Sequence, residues 1–158
     1  GWVGEKYPKI IKKIDDYGHE IGTHSHLHKL VYEQTPDEFD EDLRKSINIL
    51  SDITGKEIIS YRAPGFSITE NQKWAFEIMN KNGIQIDCSI FPAQRAHGGF
   101  SEFNICKPAK IQLSSGYIKA YPMNTSSLLR YNYVFSGGGY FRFMPYWLIK
   151  HLSKKMNM

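Results

Sequence analysis

The feature that most constrains the fold is an alternation of short β-branched segments with amphipathic segments, repeated three times between Tyr7 and Asp87. The short segments predict strands, and apolar residues at helical spacing lie between them. The three predicted strands are 19–23, 58–61 and 84–87. Such an alternation favours parallel strands joined by crossover helices, so we predict an α/β layer or barrel.

The predicted helices carry start and stop signals. Thr35 and Glu38 form a capping box at the start of one helix, and Gly18 and Gly55 suit the left-handed conformation at helix ends. The remaining predicted elements are helices at 7–17, 35–55 and 69–83, two short strands at 110–113 and 117–121, and a last helix from about Pro145.

Three polar side chains fall at or near the C-terminal ends of the predicted strands, where α/β folds gather their chemistry. His24 follows the first strand, Arg62 ends the second and Asp87 ends the third. The topology therefore predicts that these side chains converge on one face of the molecule.

Four of the six histidines lie in the segment HEIGTHSHLHK, from His19 to Lys29. His24 and His28 are four residues apart, and a helical turn would place both imidazoles on one side, close enough to bind one ion. His19 and His26 are expected to point elsewhere. A surface cluster, half-buried histidines with satisfied hydrogen bonds and a metal site all fit this spacing, and the position at a strand end favours the metal.

The neighbouring residues each have two interpretations. Ser25 either orients an imidazole through a hydrogen bond or stabilises a turn. Arg62, beside Ala63-Pro64, either fixes a carboxylate through paired hydrogen bonds or forms a structural salt bridge. The Asp87 carboxylate either supports a reacting residue from the side away from the substrate or caps the N-terminus of a helix. Four aromatic residues either line a groove for a sugar or acyl group or belong to the core: Phe66, Phe91, Tyr140 and Phe141.

Composition excludes several classes of protein. The 158 residues fit one domain, 1–158, and no window is apolar enough to span a bilayer. The net charge is +4, but the basic residues are scattered, which argues against nucleic acid as a partner. Cys88 and Cys106 lack metal-site spacing and are expected as free thiols. No signal peptide is recognisable, so a cytoplasmic location or one peripheral to the membrane is expected.

Three motifs make the chain resemble the polysaccharide deacetylases, the NodB-homology domains of carbohydrate esterase family 4. Gly18 to His28 matches the family's G-H-E-I-G-S/T segment and its H-S/T-x-x-H metal motif. Arg62 to Phe66 matches R-x-P-x-F. Asp87 to Pro92 resembles the D-S-S-x-F-P segment of a branch found in exopolysaccharide-export loci, and 31–36 and 137–142 resemble further signatures of that branch.

The resemblance implies a distorted (β/α)7 barrel that removes acetyl groups from an N-acetylated polysaccharide or oligosaccharide in a metal-dependent hydrolysis. It implies that His24 and His28 bind a divalent ion, zinc or alternatively Co²⁺ or Ni²⁺. It also implies that Arg62 orients a base carboxylate, that Asp87 tunes an acid histidine and that Ser25 supports the metal ligands. The residues implied to contact the sugar are Pro64, Phe66, Phe91 and Tyr140.

The family's aspartate pair on the first strand and its late acid histidine have no counterpart in this sequence. Asp15-Asp16 falls late in a predicted helix and is expected to be solvated surface, and His151 falls within the last predicted helix. We therefore expect the central portion of an incomplete barrel, whose open sheet edge would favour a homo-oligomer. A non-catalytic fragment, or a carbohydrate- or metal-binding module derived from a deacetylase, is the alternative function.

Overall fold

The structure, a computed structural model, describes residues 1–93, 98–100, 103, 107–128, 131–134 and 138–156. The helices are α1 (Trp2–Lys6), α2 (Pro8–Asp16), α3 (Pro36–Thr54), α4 (Trp74–Lys81), α5 (Gly138–Phe143) and α6 (Tyr146–Met156). The strands are β1 (Ser60–Tyr61), β2 (Ile86–Asp87), β3 (Ala109–Leu113), β4 (Gly116–Ala120), β5 (Thr125–Leu128) and β6 (Tyr131–Val134). Single 3-10 turns lie at Val31–Glu33, Pro64–Phe66 and Glu70–Gln72. Of the helices in these ranges, none combines the length and the apolarity needed to cross a bilayer.

A four-stranded sheet in the order β1-β2-β4-β3 organises the fold. Strands β1, β2 and β4 run parallel, as the alternation of elements predicts. Strand β3 runs antiparallel to β4, because residues 114–115 make a tight turn that leaves no length for a crossover helix. Strands β5 and β6 form a separate antiparallel pair that the sequence pattern does not predict.

The predicted strand at 19–23 is reduced to a single parallel bridge between Thr23 and Tyr61. The N–H of Thr23 donates to the Ser60 carbonyl at 2.8 Å, and the Thr23 carbonyl accepts from the Arg62 N–H at 3.0 Å. Within 19–23, Thr23 alone pairs with β1. A single paired residue is too short to form a strand ladder. The bridge nevertheless places His24 at the C-terminal end of the sheet, beside the end of β1.

Helix α3 begins and ends as its signals predict. The Thr35 hydroxyl accepts from the Glu38 N–H at 3.3 Å, and the Glu38 carboxylate accepts from the Thr35 N–H at 2.8 Å. Gly55 ends the helix with φ of 70°. Helices α3 and α4 pack over one core with the sheet, whose largest buried side chains include Phe39, Leu43, Tyr61, Ile68, Met79, Ile84, Ile90 and Ile118.

The expectation that Asp15 is solvated surface is wrong. Asp15 is buried, and its carboxylate contacts Lys56 Nζ at 2.5 Å and Lys12 Nζ at 3.3 Å. Lys56 follows the end of α3, so this pair ties the end of α2 to the end of α3. Asp16 is exposed, as expected. On the same helix, the apolar side chains of Ile10 and Ile14 are 54% and 38% exposed.

Candidate functional site

The imidazole rings of His24 and His28 are neighbours, with centroids 4.9 Å apart and planes at 74°. The predicted helical turn between them is wrong: residues 24–30 are irregular, and Ser25 and His28 adopt φ values of 65° and 59°. Non-glycine residues seldom adopt the left-handed conformation. The two rings therefore meet because of two unusual backbone conformations rather than through helical periodicity.

A hydrogen bond fixes the tautomer of His24. Its Nδ1 lies 2.6 Å from the carbonyl oxygen of Arg62, and a carbonyl can only accept, so Nδ1 carries the proton and donates. The neutral ring then has its lone pair on Nε2, the arrangement typical of a metal-ligating histidine. Burial lowers the pKa of His24, and the nearby His28 and Arg62 charges lower it further against the opposing effect of this hydrogen bond. The ring is therefore neutral at neutral pH and suited to bind a cation.

The Ser25 hydroxyl accepts a hydrogen bond from the backbone N–H of His28 at 2.8 Å. Within the described part of the chain this hydroxyl does not hydrogen-bond to an imidazole, so the geometry matches the turn-stabilising interpretation. The other two histidines of the segment lie apart from the pair. His26 is buried with its Nε2 3.6 Å from Glu5, and His19 is exposed.

Arg62 lies at the end of β1, beside His24. Its Nε donates to the carbonyl of Cys88 at 3.1 Å, and its guanidinium lies 5.8 Å from the centroid of the Phe66 ring. The hydrogen bond to Cys88 bridges the ends of β1 and β2. A shallow cleft of about 430 Å³ opens here, and its lining includes Gly22, Thr23, His24, Ser60, Tyr61, Arg62 and Cys88.

Asp87 is fully buried at the end of β2. Neither carboxylate oxygen has a hydrogen bond of good geometry to a described residue. Burial raises the pKa of Asp87 to about 6, although the Ser89 hydroxyl, the N–H groups of Ser89 and Ile90 and the charge of Arg62 act in the opposite direction. The helix-cap interpretation is wrong, because no helix begins in the described residues 88–93 that follow.

The residues implied to contact sugar differ in exposure. Pro64 and Phe91 are buried, whereas Phe66 is half-buried, with its ring centroid 5.4 Å from that of Phe91. This favours a packing role for Pro64 and Phe91 and leaves Phe66 at the surface. The side chains of Tyr140 and Phe141, and all of Cys106, lie outside the described residues. Cys88 is a free thiol, as expected.

Histidine and carboxylate groups do not form a larger metal cluster in the part of the chain that the structure describes. No three His, Cys, Asp or Glu side chains there come close enough together to hold one ion. The His24 and His28 pair thus fits a metal as two ligands, through imidazoles of the type that zinc prefers.

Sequence reasoning missed two residues of α3 that contact the histidine loop: Asp42, and Ser46, whose hydroxyl donates to the Ser25 carbonyl at 3.2 Å. The carboxylate of Asp42, on α3, accepts hydrogen bonds from the N–H groups of His26 and Leu27. A signal was available in Ser46, a polar residue on the otherwise apolar stripe Phe39, Leu43 and Leu50, since a polar residue in such a stripe indicates a specific partner.

Two known protein families match this chain, each over about half of its length. A family model described as polysaccharide deacetylase matches residues 1–86. The chain therefore belongs to the polysaccharide deacetylase family. A second model, a domain of unknown function (DUF3473), matches residues 88–158.

Two curated relatives are peptidoglycan deacetylases by name. The chain is 38% identical over 78 residues to the peptidoglycan-N-acetylglucosamine deacetylase of Bacillus cereus. The aligned segment covers 49% of this chain and 28% of that protein. The chain is 28% identical over 101 residues to a peptidoglycan deacetylase of Helicobacter pylori. The aligned segment covers 64% of this chain and 32% of that protein. The chain thus spans about a third or less of these relatives.

A solved structure of similar fold is the putative polysaccharide deacetylase from Mycobacterium smegmatis. It matches with a TM-score of 0.63 and 20% sequence identity, over 78% of this chain and 38% of that one. This likeness confirms the predicted fold class, an α/β fold of the NodB barrel type present here as a partial sheet.

Proposed function

We propose that this chain takes part in the metal-dependent removal of N-acetyl groups from a polysaccharide. The observation that carries the proposal is the hydrogen bond from His24 Nδ1 to the Arg62 carbonyl, which leaves Nε2 as a ligand beside the ring of His28. Membership of the polysaccharide deacetylase family supports this chemistry, as do the names of the relatives from Bacillus cereus and Helicobacter pylori.

In this proposal His24 and His28 hold one divalent ion, zinc or alternatively Co²⁺ or Ni²⁺. A divalent ion bound there would polarise the amide carbonyl and lower the pKa of water towards neutrality. Two protein ligands alone suggest an affinity that is micromolar or weaker. Ser25 supports the pair by accepting from the His28 N–H, which fixes the backbone between the two rings.

Arg62 and Asp87 supply the remaining chemistry that we assign to this chain. Arg62 lines the same cleft as His24, and its planar guanidinium suits the paired binding of a carboxylate. Asp87 has a pKa of about 6, which suits a carboxyl group that adjusts the protonation of a histidine near neutral pH. Phe66, half-buried beside Arg62, offers an apolar face to a sugar ring.

The polymer, the cell location and the assembly are proposed at a coarser level. The segment 87–92 supports an exopolysaccharide as the polymer. We retain a cytoplasmic or peripheral location and a homo-oligomer as proposals. The continuation of the sheet from β2 to β4, across the boundary between the two matched family regions, supports one domain over 1–158.

A non-catalytic carbohydrate- or metal-binding module is the second candidate. The observation that favours it is that the described residues contribute two metal ligands rather than three or more. Acetate release from an N-acetylglucosamine oligomer separates the candidates: metal-dependent release supports the deacetylase, and metal binding without release supports the module.

A calorimetric titration with Zn²⁺ tests the metal site directly. We expect the unsubstituted protein to bind one Zn²⁺ and a His24→Ala/His28→Ala double variant to lose that binding. The matched control is His19→Ala/His151→Ala, which removes two exposed histidines that lie in the coil before the loop and in α6. Equal binding by the His24/His28 variant and the unsubstituted protein would show that the site is wrongly assigned.

A further inference from the structure

We infer that Asp42 is a positioning residue that holds the loop from His24 to His28 in the conformation that brings the two imidazoles together. The inference rests on the proposed function, because it assigns Asp42 to the same metal site. Asp42 lies on α3, outside the motifs that indicate metal binding.

Both oxygens of the Asp42 carboxylate are engaged by the middle of the loop. Oδ2 accepts from the His26 N–H at 2.7 Å, and Oδ1 accepts from the Leu27 N–H at 2.9 Å. Hydrogen bonds from backbone N–H groups to a carboxylate are shorter and stronger than those to a neutral acceptor. The carboxylate thus fixes two of the four peptide groups that lie between the proposed metal ligands.

Ser46 holds the same loop one helical turn further along α3. Residues four apart lie on the same side of a helix, so Asp42 and Ser46 both face the loop. The Ser46 hydroxyl donates to the Ser25 carbonyl at 3.2 Å and lies 2.5 Å from the hydroxyl of Thr23. Helix α3 therefore contacts the loop at its beginning and at its middle.

The loop needs such support because its backbone is intrinsically unfavourable. Ser25 and His28 both have positive φ, which costs free energy for residues with a side chain and persists only where the surroundings impose it. Without the Asp42 carboxylate, the N–H groups of His26 and Leu27 lose their acceptor. The backbone can then relax towards right-handed conformations, and the rings of His24 and His28 separate.

Asp40, on the same helix, provides a contrast. Its carboxylate accepts from Asn82 at 2.5 Å and lies 3.6 Å from Lys81, so it ties α3 to the end of α4. Asp40 therefore contributes to the packing of α3 against α4 and, among the described residues, makes no hydrogen bond or ion pair to the loop. A substitution there serves as a control for general loss of stability.

The test compares Zn²⁺ binding by the unsubstituted protein, Asp42→Ala, Asp42→Asn and Asp40→Ala, using competition with a chromophoric chelator. Loss of a group that orients metal ligands typically weakens binding about 10- to 100-fold, and we expect that loss for Asp42→Ala. Asp42→Asn keeps one acceptor oxygen and the side-chain shape, so we expect a smaller loss. Asp40→Ala is expected to bind within about twofold of the unsubstituted protein.

A second readout needs no metal. Nuclear Overhauser effects between the ring protons of His24 and His28 report whether the loop holds the rings together. We expect them in the unsubstituted protein and in Asp40→Ala, and we expect their loss in Asp42→Ala.

The two readouts separate failure of this inference from failure of the proposed function. If the unsubstituted protein does not bind Zn²⁺, the proposed function fails, and the ring contacts still decide the role of Asp42. Unchanged affinity and ring contacts in Asp42→Ala would overturn the inference. Equal losses in Asp40→Ala would overturn it as well, because the effect would then be one of general stability. If Asp42→Ala does not fold, the same comparison is made with Asp42→Asn.

Discussion

Tyr61 and Asp87 occupy facing positions on the parallel strands β1 and β2, and both bury their polar side-chain atoms. Among the described residues, neither the Tyr61 hydroxyl nor the Asp87 carboxylate finds a hydrogen-bond partner of good geometry. Burial raises the pKa of Tyr61 well above its usual value, and the Asp87 charge raises it further. The two strands thus end in a pair of neighbouring residues whose polar groups are buried in the core.

The raised pKa of Asp87 predicts that the protein loses stability as the pH rises from about 4 to about 6. The folded state binds the Asp87 proton more tightly than the unfolded chain, since burial raises the pKa from 3.8 to about 6. Stability contributed by this proton is present at low pH and is lost as the pH passes the folded-state pKa. Asp87→Asn removes the titration, so the free energy of unfolding of the variant should gain about 2 kcal/mol on wild type between pH 4.5 and 7.5.

Urea unfolding of both proteins at the two pH values measures this gain. Taking the difference between variant and wild type cancels the other titrating groups, including His24, whose lowered pKa acts in the opposite direction. A difference that does not change with pH would mean that Asp87 is ionised in the folded state at low pH, or that the unfolded chain shares its pKa.

Asp15→Asn is expected to lower the melting temperature at pH 7. The hydrogen bond from Lys56, followed by that from Lys12, lowers the pKa of Asp15 against the effect of its own desolvation. The stabilisation is therefore present above the ordinary pKa of 3.8 and is lost as the pH falls through the lower folded-state pKa. Asp16→Asn is the control, because Asp16 is exposed and, within the described residues, forms an ion pair with Lys12 alone. Equal melting temperatures for all three proteins would show that the Asp15–Lys56 pair contributes nothing.

The elements with strong local signals could be predicted from the sequence. The capping box of Thr35 and Glu38 and the left-handed Gly55 set the bounds of α3 through contacts within a few residues. The position of His24 beside Arg62, at the C-terminal end of the sheet, also follows from sequence, because parallel segments align their C-terminal ends.

The features that depend on distant contacts could not be predicted. Asp15 looks like helix surface in the sequence because its partner Lys56 is 41 residues away. Helical spacing predicts the proximity of His24 and His28, whereas the structure achieves it through positive φ at Ser25 and His28. Contacts from α3 to that loop join residues at least 15 positions apart, which no local pattern encodes.

Gly22→Ala is expected to destabilise the edge of the sheet that positions His24. A Cβ at Gly22 would lie 2.6 Å from the Ser60 hydroxyl and 3.2 Å from the Ser60 carbonyl, which accepts from the Thr23 N–H. Overpacking of this kind typically costs about 1–3 kcal/mol. Gly139→Ala is the matched control, because a Cβ there meets nothing within 4 Å.

The measurements for Gly22 are urea unfolding and Zn²⁺ affinity on the same samples. The double variant Gly22→Ala/Ser60→Ala removes the hydroxyl that makes the closest contact, so it should recover part of the lost stability. A Gly22→Ala protein as stable as Gly139→Ala would show that the bridge between Thr23 and Tyr61 tolerates the extra carbon.

Arg62→Lys is expected to lower kcat about 10- to 100-fold in the catalytically active protein and to leave KM nearly unchanged. Lysine keeps the positive charge but replaces a planar fork with a single ammonium group, so it cannot donate to the Cys88 carbonyl and a carboxylate in the same geometry. A group that orients reacting residues acts on the transition state more than on ground-state binding, which affects kcat before KM. Arg142→Lys, at an exposed position on α5, is the control. Acetate release from an N-acetylglucosamine oligomer gives both kcat and KM. A kcat near the wild-type value in Arg62→Lys would show that Arg62 does not orient a reacting residue.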